Sequence, residues 1–389
     1  MILPLYQHQK DLQALDPKKC LIAFGTGGGK TMSTLLLAEG KTLVVCPKIL
    51  RDEKTWERNL EKLGKKLDMT VVSKEDMRRD WDSYPKYDTV IIDEAHNGVA
   101  SVSPTVVYRK KIAYPKTSQM YDAVSNYIQK HNPSRLYLLT ATPTRSPFCV
   151  YAIATLLGKK WNFYDFRTVY YVPVKMGNRE IWMPKKDNVT KERLAKTVQG
   201  LGVVGQLSDW FDVPTQTHKT VYVSLTDKQR QRLSRLPLEY PEPIVLCGKK
   251  HQVENGILAG DEFNQPESFD NEKIDKILEY AIEFPKMVIF SKYIAQIEAI
   301  QSALTKEGYK VLTLTGATKN REEVLNDANT SKECIIIISA QISEGYELPD
   351  FPVMIFASMS YSVVSRIQAE GRILRASHLK KNLYITLVA

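Results

Sequence analysis

A glycine-rich segment between an apolar run and an amphipathic stretch limits most strongly what this chain folds into. Residues 20–24 read CLIAF, an apolar run of strand length, and the following residues 25–29 read GTGGG. The stretch 31–38 then shows the periodicity of a helix. Glycines allow backbone N–H groups to converge on phosphate oxygens, which a Cβ atom would obstruct, and a helix N-terminus favours anions. The pattern predicts a strand, a phosphate-binding loop and a helix.

The side chains at the end of this loop suit the binding of a nucleotide. The Lys30 ammonium can reach the β- and γ-phosphates, and the Thr31 hydroxyl can bind Mg²⁺. The strict pattern GxxxxGK[ST] has a glycine where this chain has Phe24, so a loose glycine-rich turn is the alternative. The expected nucleotide-binding residues of the loop are Gly25, Thr26, Gly27, Gly28, Gly29, Lys30 and Thr31.

The tetrapeptide DEAH at 93–96 ends a further strand, which the apolar run 89–93 predicts. Carboxylates at the carboxyl edge of a parallel sheet face the crevice where ligands bind. Asp93 can hold Mg²⁺ through its water shell, and Glu94 can orient and deprotonate the attacking water. His96 has no partner histidine or cysteine near it in the sequence, which favours hydrogen bonding over metal binding. Two surface acids after a strand are the alternative, and the phosphate loop argues against it.

Two later segments carry groups that suit the same site. Residues 140–143, TATP, close another predicted strand, and their hydroxyl groups can hydrogen-bond the DEAH carboxylates. Residues 368–375, QAEGRILR, place Arg372 and Arg375 at i and i+3 on one face of a helical turn. Guanidinium groups suit the charge on a transferring phosphoryl group, so a second domain that closes on the first would deliver arginine fingers. A solvated basic face is the alternative.

Apolar runs alternate with helical stretches along most of the chain, which predicts an α/β fold with parallel sheets flanked by helices. The expected division is a first, ATP-binding domain at 1–158, an accessory or linker segment at 159–215 and a second domain at 216–389. The middle segment crowds aromatic residues, and both stacking on bases and a small accessory core are open for it. Strands are expected at 20–24, 42–46, 69–73, 89–93, 136–140, 220–225, 287–290, 311–314, 334–339, 353–357 and 383–388.

The composition indicates which kind of partner this protein binds and in which compartment it is found. The formal net charge of +10 over 389 residues favours a polyanionic partner such as nucleic acid, although a basic surface without that role is the alternative. The 5 cysteines are scattered, which fits a reducing compartment. Neither a signal peptide nor an apolar run of membrane-spanning length is present in the sequence. We therefore expect a soluble intracellular protein, in the cytoplasm of a bacterium or an infected host cell or in a eukaryotic nucleus.

Taken together and in this order, the motifs resemble those of the superfamily 2 helicases and translocases. FGTGGGKT at 24–31 is similar to motif I, and DEAH, TATP and QAEGRILR are similar to motifs II, III and VI. LYQHQ at 5–9 resembles the adenine-reading Q-motif, with Gln9 the better match and Gln7 the second. Shorter segments resemble the remaining motifs: VVCPK at 44–48, IFSKY at 289–293, LTG at 314–316 and SEGYEL at 343–348.

The resemblance implies two RecA-like domains with ATP and Mg²⁺ in the cleft between them and nucleic acid running across both. It implies that Gln9 and Gly345 contact the nucleotide, and that Gln368 takes part in hydrolysis with the two arginines. Lysines and hydroxyls at loop tips suit sequence-independent contacts with phosphates, and solvated loop residues are the alternative. The residues implied to contact nucleic acid are Lys48, Ser73, Lys74, Thr142, Ser291, Lys292, Thr315 and Ser343.

Trp56, Gln229 and Lys273 are similar to residues of the Snf-type branch, whose members mostly track duplex DNA. The expected function is that of a monomeric, ATP-dependent DNA helicase or translocase, with remodelling of forks or junctions by branch migration as a further expectation. The alternatives are the motor subunit of a larger nuclease or restriction complex with accessory protein partners, an RNA helicase, and a nucleic-acid-binding adaptor with a degenerate ATP site. Only Phe24 favours the adaptor.

Overall fold

The chain forms two compact units, Met1–Phe211 and Asp212–Ala389. The computed structural model describes residues 5–109, 112–177, 179–261, 264–342, 346–359, 362–375 and 379–389. Each unit is built around a six-stranded sheet of its own.

The helices and strands of the first unit alternate along most of its length. The helices are α1 (Gln7–Leu15), α2 (Lys30–Leu37), α3 (Lys48–Asp52), α4 (Thr55–Leu63), α5 (Lys74–Asp80), α6 (Gln119–His131), α7 (Pro147–Leu156), α8 (Phe163–Tyr170) and α9 (Asn188–Gln199). The strands are β1 (Lys19–Phe24), β2 (Thr42–Cys46), β3 (Met69–Ser73), β4 (Thr89–Ile92), β5 (Val102–Arg109), β6 (Ile112–Thr117), β7 (Arg135–Leu139), β8 (Tyr171–Met176), β9 (Arg179–Pro184) and β10 (Gly202–Gly205).

The sheet of the first unit has the strand order β10-β1-β7-β4-β2-β3, and every pairing in it is parallel. Alternate residues of its strands bury opposite faces: Leu21 and Leu43 belong to one apolar core, whereas Ile22 and Val44 belong to another. Because side chains alternate across a strand, two cores mean that both faces are covered. The carboxyl ends of β1, β4 and β7 therefore lie along one edge of the sheet.

Two antiparallel hairpins, β5–β6 and β8–β9, supplement this sheet. Of the aromatic residues at the start of the segment 159–215, Phe163, Phe166 and Tyr170 are buried in the core with Phe148, so these three belong to the core and do not form a stacking surface. The same segment supplies β10, which pairs with β1 at the edge of the sheet.

The second unit repeats the alternation. Its helices are α10 (Asp227–Glu239), α11 (Pro243–Glu254), α12 (Glu272–Glu283), α13 (Ile294–Lys306), α14 (Arg321–Thr330) and α15 (Val363–Ile373). Its strands are β11 (Thr215–Tyr222), β12 (Ile257–Leu258), β13 (Glu267–Ser268), β14 (Lys286–Ser291), β15 (Val311–Leu314), β16 (Cys334–Ser339), β17 (Val353–Phe356) and β18 (Lys381–Val388).

The sheet of the second unit has the order β11-β18-β17-β14-β16-β15 and is parallel throughout. Val288 and Phe290 point into one core, whereas Met287 and Ile289 point into the other. The expected fold class is confirmed: both units contain a parallel six-stranded sheet flanked by helices, as in RecA-like domains.

The structure differs from the sequence-based expectation where strands are exposed. The strand expected at 220–225 is β11, which begins at Thr215 and ends at Tyr222. As an edge strand paired only with β18, it is exposed along most of its length and lacks an apolar run. Strand β8 went unpredicted for a similar reason, since every residue after Tyr171 is exposed. Among the described residues, no helix has the length and apolar character needed to cross a membrane.

Candidate nucleotide-binding site

The glycine-rich loop connects the end of β1 to the start of α2, as the sequence predicts. Gly27 and Gly29 have φ angles of 83° and 73°, values that residues with a Cβ atom adopt with strain. A turn closes within the loop, where the Gly28 N–H donates to the Gly25 carbonyl at 3.0 Å. Gly25 and Gly28 are buried, Gly27 is exposed, and Thr26 is half-buried. The loop therefore has the backbone geometry that a phosphate cradle needs.

Lys30 and Thr31 lie in the first turn of α2 and are half-buried. The Lys30 ammonium donates to the carbonyl oxygens of Phe24 at 3.0 Å and Gly25 at 3.5 Å, so it lies over its own loop. A phosphate group in the loop would offer this ammonium a charged acceptor in place of two neutral ones.

Gln9, on α1, lies against the loop, whereas Gln7 does not. A Cβ atom on Gly29 would lie 2.8 Å from Gln9 Nε2. Gln9 Oε1 accepts a hydrogen bond from the Tyr6 N–H at 3.0 Å, which caps α1 and holds the amide in place. Gln7 is exposed and bonds to Asp11. Of the two candidates, Gln9 is the one placed beside the glycine-rich loop, and its contact with a nucleotide stays a prediction.

Asp93 and Glu94 lie directly after β4, at the sheet edge where the glycine-rich loop follows β1. Asp93 is buried, and its Oδ1 accepts the Glu94 N–H at 2.8 Å. Glu94 adopts a left-handed conformation with φ of 45°, unusual for a residue with a side chain. Such backbone strain is often retained at functional sites.

The electrostatic surroundings shift the pKa values of Asp93 and Glu94 in opposite directions. Burial and the neighbouring Glu94 carboxylate raise the pKa of Asp93. Burial also opposes ionisation of Glu94, but the His96 imidazole and the Lys30 ammonium outweigh it and lower the pKa of that carboxyl. Two adjacent carboxylates in a buried site repel one another unless cations accompany them. The donor set therefore fits a divalent cation, which Asp93 and the Thr31 hydroxyl would hold.

His96 connects the DEAH segment to the TATP segment. Its Nδ1 lies 2.9 Å from Thr140 Oγ1 and 3.2 Å from Glu94 Oε2. Thr140 Oγ1 also accepts the Thr142 N–H at 3.0 Å, and the Ala95 N–H donates to the Leu139 carbonyl. Hydrogen bonding by His96 agrees with the interpretation of the sequence. The hydroxyl of Thr140 contacts the histidine rather than a carboxylate.

Lys74 has a role that the sequence did not indicate. Its ammonium donates to the backbone carbonyls of Glu94 at 2.7 Å and Asn97 at 3.0 Å, so it holds the loop that carries the DEAH acids. Ser73 caps α5: its hydroxyl accepts the Asp76 N–H at 3.0 Å and donates to the Asp76 carboxylate. Lys48, by contrast, is exposed at the start of α3. Contacts of all three with nucleic acid stay predictions.

In the second unit, the expected nucleic-acid contacts differ in accessibility. Ser291 is buried, and its hydroxyl donates to Gln296 Oε1 at 2.7 Å. Lys292 is half-buried, with its ammonium 5.3 Å from the Tyr293 ring centroid. Thr315 is half-buried in a turn where its N–H donates to Thr318 Oγ1. Ser343 and Gly345 lie outside the described residues.

Only one of the two arginines lies in a helix. Arg372 belongs to the last turn of α15, but the helix ends at Ile373, and Leu374 is extended. The expectation that both arginines share one helical face is therefore wrong. Arg372 donates to the Tyr346 carbonyl at 3.2 Å, and the Arg375 guanidinium folds back to cap the carbonyls of the last helical turn.

Both guanidinium groups and Gln368 are buried within the second unit. Arg375 Nη2 also lies 3.2 Å from Glu347 Oε1, and burial lowers the pKa of Arg375. The Gln368 Nε2 group is buried without a hydrogen-bond partner among the described residues.

One comparison with known proteins bears on this site. Residues 271–377 match the helicase conserved C-terminal domain, a span that runs from the start of α12 past Arg375. The match indicates a superfamily 2-type C-terminal domain and a helicase-type, nucleic-acid-related ATPase. No curated protein matches the chain.

Proposed function

We propose that this protein is an ATP-dependent DNA helicase or translocase, which couples ATP hydrolysis to movement on DNA. The observation that carries the proposal is the acid pair Asp93–Glu94, of which Asp93 is buried and Glu94 half-buried, on the sheet edge to which β1 delivers the glycine-rich loop. A loop that binds phosphates and an acid pair that can hold Mg²⁺ and orient a water are two of the parts that phosphoryl transfer to water uses. The helicase C-terminal domain at 271–377 supports a nucleic-acid-dependent form of that reaction.

In this proposal, the loop N–H groups and Lys30 bind the phosphates, and Gln9 reads the adenine. Glu94 orients the attacking water and accepts its proton, and the His96 contact holds that carboxylate in place. Mg²⁺, held by Thr31 and Asp93, would neutralise charge on the phosphate oxygens.

The second unit contributes the residues of its QAEGRILR segment. We assign to Arg372 and Arg375 the stabilisation of negative charge on the γ-phosphoryl group, which planar guanidinium groups suit. Both now bond to acceptors of their own unit, so this role requires them to exchange those acceptors for phosphate oxygens. Such an exchange would make hydrolysis depend on a conformational change.

The nucleic-acid partner in this proposal is DNA, bound through its phosphates. The net charge of +10 and the exposed Lys48 support backbone contacts. Remodelling of forks or junctions is a finer part of the proposal and rests on the sequence resemblance.

The decisive experiment compares ATP hydrolysis with single-stranded DNA, duplex, forked DNA, a four-way junction and RNA. We expect DNA to raise the rate at least tenfold, and we expect Lys30→Ala and Glu94→Gln to abolish the stimulated rate, which follows from removing a phosphate contact or a general base. Hydrolysis that is indifferent to every nucleic acid would refute the proposal. A larger stimulation by RNA would replace DNA with RNA as the partner.

A further inference from the structure

Trp210 is next to the last residue of the first unit, yet it packs on the phosphate loop. Its indole stacks on the His8 imidazole, with ring centroids 4.0 Å apart and planes 12° apart. It also meets the ring of Phe24 edge to face at 4.8 Å. His8 Nε2 lies 3.1 Å from the Gly28 carbonyl, to which it donates, since a carbonyl oxygen only accepts. The ring stack is thus connected directly to the loop backbone.

The loop glycines lie in van der Waals contact with the segment that carries Trp210. A Cβ atom on Gly28 would lie 3.1 Å from the indole, and one on Gly205 would lie only 2.2 Å from it. Gln206 Oε1 would lie 2.7 Å from a Cβ atom on Gly25. The Gly25 N–H donates to the Gly205 carbonyl at 2.9 Å, so a hydrogen bond also connects the two segments.

A loop of glycines cannot define its own conformation, because each glycine has many accessible backbone states. Its shape must therefore come from the groups packed around it. The rings of Trp210 and His8 contact Gly28, whereas Gly25 is held by Gln206 and by its hydrogen bond to Gly205. Large aromatic rings lose little conformational entropy when ordered, so they supply a rigid surface.

We propose that Trp210 is a positioning residue of the nucleotide site. Its indole holds Gly28 in the conformation that receives the phosphates, and the binding of a nucleotide changes the surroundings of the indole. The change would arise when the phosphates draw the Lys30 ammonium from the carbonyls of Phe24 and Gly25, which adjoin the ring stack. The inference rests on the proposed function, because it requires a nucleotide in the loop.

Tryptophan fluorescence tests whether nucleotide binding changes the surroundings of the Trp210 indole. The 5 tryptophans are Trp56, Trp81, Trp161, Trp182 and Trp210. We expect a non-hydrolysable ATP analogue with Mg²⁺ to change the emission of the full-length protein, and we expect Trp210→Phe to remove most of that change. Trp182→Phe is the matched control: Trp182 lies on β9 beside Arg167, so the nucleotide-dependent change should persist.

Measurements of nucleotide affinity test whether Trp210 positions the loop. Trp210→Phe keeps a ring that can stack on His8, so we expect its dissociation constant for the analogue, measured by calorimetry, to stay within twofold of wild type. Trp210→Leu loses the stack, and we expect a five- to tenfold weaker affinity and a KM for ATP raised by the same factor. The kcat should change less than twofold, because the loop holds the phosphates before and during the reaction.

The possible outcomes separate the inference from the proposed function. If calorimetry detects no analogue binding to the wild-type protein, the proposed function itself fails. If the wild-type protein binds the analogue but Trp210→Phe retains the full emission change, Trp210 does not sense the loop and the inference is wrong. An unchanged affinity of a folded Trp210→Leu variant would overturn the positioning role. Should that variant fail to fold, the emission change in Trp210→Phe still decides.

Discussion

His96 Nδ1 lies 2.9 Å from Thr140 Oγ1, and this contact joins the segment after β4 to the segment after β7. The same nitrogen lies 3.2 Å from Glu94 Oε2, so one imidazole touches the proposed general base and the neighbouring strand end together. A shift of the segment at 140–143 would therefore reach the Glu94 carboxylate through a single side chain. This arrangement is suited to coupling hydrolysis to events elsewhere on the sheet edge.

Replacing Thr140 with valine should weaken that coupling. The substitution preserves the shape of the fully buried side chain but removes the hydroxyl, and it leaves the imidazole without one of its partners. We expect the DNA-stimulated ATPase rate to fall about tenfold, within the range that positioned proton-transfer groups contribute. Steady-state rates with and without DNA measure this. Thr144→Val, at an exposed position of the same loop, is the control; a stimulated rate equal to wild type in Thr140→Val would contradict the coupling role.

Lys74→Ala should impair hydrolysis more than it impairs DNA binding. The lysine ammonium bonds to the carbonyls of Glu94 and Asn97, so its loss frees the loop that positions Glu94. We expect kcat to fall about tenfold while the DNA concentration for half-maximal stimulation changes less than threefold, on the scale of a misplaced catalytic group.

Lys48→Ala is the counterpart of that variant at an exposed lysine. Removing one phosphate contact should raise the DNA concentration for half-maximal stimulation and reduce the salt dependence of binding by about one unit of slope. Titrations of the ATPase rate with DNA at several salt concentrations give both quantities for Lys74→Ala and Lys48→Ala. If Lys74→Ala changed only the DNA requirement, Lys74 would be a nucleic-acid contact as the sequence resemblance implies.

The substitution Phe24→Gly restores the strict phosphate-loop pattern, but it should destabilise the folded protein. Phe24 is fully buried and packs on Trp210 and His8, so its removal leaves a cavity beneath the loop. Urea unfolding should show a loss of about 3–5 kcal/mol, as for other truncations of a buried phenylalanine. Phe24→Leu, which keeps most of the volume, should cost less than about 1.5 kcal/mol. Tighter nucleotide binding by Phe24→Gly at unchanged stability would show that Phe24 obstructs the loop.

Substituting the arginines by lysine should lower both kcat and the melting temperature. If both guanidinium groups act on the phosphoryl group, Arg372→Lys and Arg375→Lys should each lower kcat by at least about a hundredfold. Both variants should also lower the melting temperature, because the Arg375 guanidinium caps the end of α15 and pairs with Glu347, whereas the Arg372 guanidinium donates to the Tyr346 carbonyl. Calorimetry gives the melting temperature and ATPase assays give kcat, both on the same preparations of each variant. Wild-type kcat in both variants would remove the arginines from the mechanism.

The stability of the second unit should fall with acidification because of His251. Burial, followed by the charges of Lys292 and Lys273, lowers the pKa of His251 to about 4, and its Nδ1 lies 2.6 Å from the Tyr293 hydroxyl. The unfolded chain takes up this proton near pH 6.5, whereas the folded unit resists it. The contribution of the neutral imidazole to the free energy of unfolding is therefore fully present above about pH 6.5. It is lost as the pH falls towards 4.

Urea unfolding at pH 7, 6 and 5 tests this expectation. Wild type should lose about 1–2 kcal/mol more than His251→Gln between pH 7 and pH 5, a value reduced for the partial exposure of the ring. Parallel pH dependence of the two proteins would show that His251 does not titrate differently on folding.

The local structure of the candidate nucleotide-binding site follows from the sequence. The strand, glycine-rich loop and helix around Lys30 follow from a short apolar run, consecutive glycines and helical periodicity, all of which are local. The strands β2, β3, β15 and β16 have the bounds that the apolar runs predict. Apolar runs of this kind are typical of strands in a parallel sheet that helices cover on both faces.

Other elements and roles carried no local signal. Strand β8 is exposed after Tyr171 and contains Pro173, and α10 and α11 form a helix pair around three prolines that obscure the pattern. Ser73 and Ser291 match motif positions, but in the structure their hydroxyls make a helix cap and a buried hydrogen bond. A motif specifies which residue type is present, whereas the packing of neighbouring elements decides whether that side chain is accessible.

The sequence by itself determined that this chain has a glycine-rich loop between a strand and a helix, an acid pair after a parallel strand and two α/β units. These features arise from interactions between residues close in the chain and from the rule that parallel strands end at a common edge. Only the tertiary structure decided that Lys74 supports the DEAH loop, that Arg375 lies beyond its helix, and that Trp210 packs on Gly28. Each of those contacts depends on how the chain packs in three dimensions, which local periodicity does not encode.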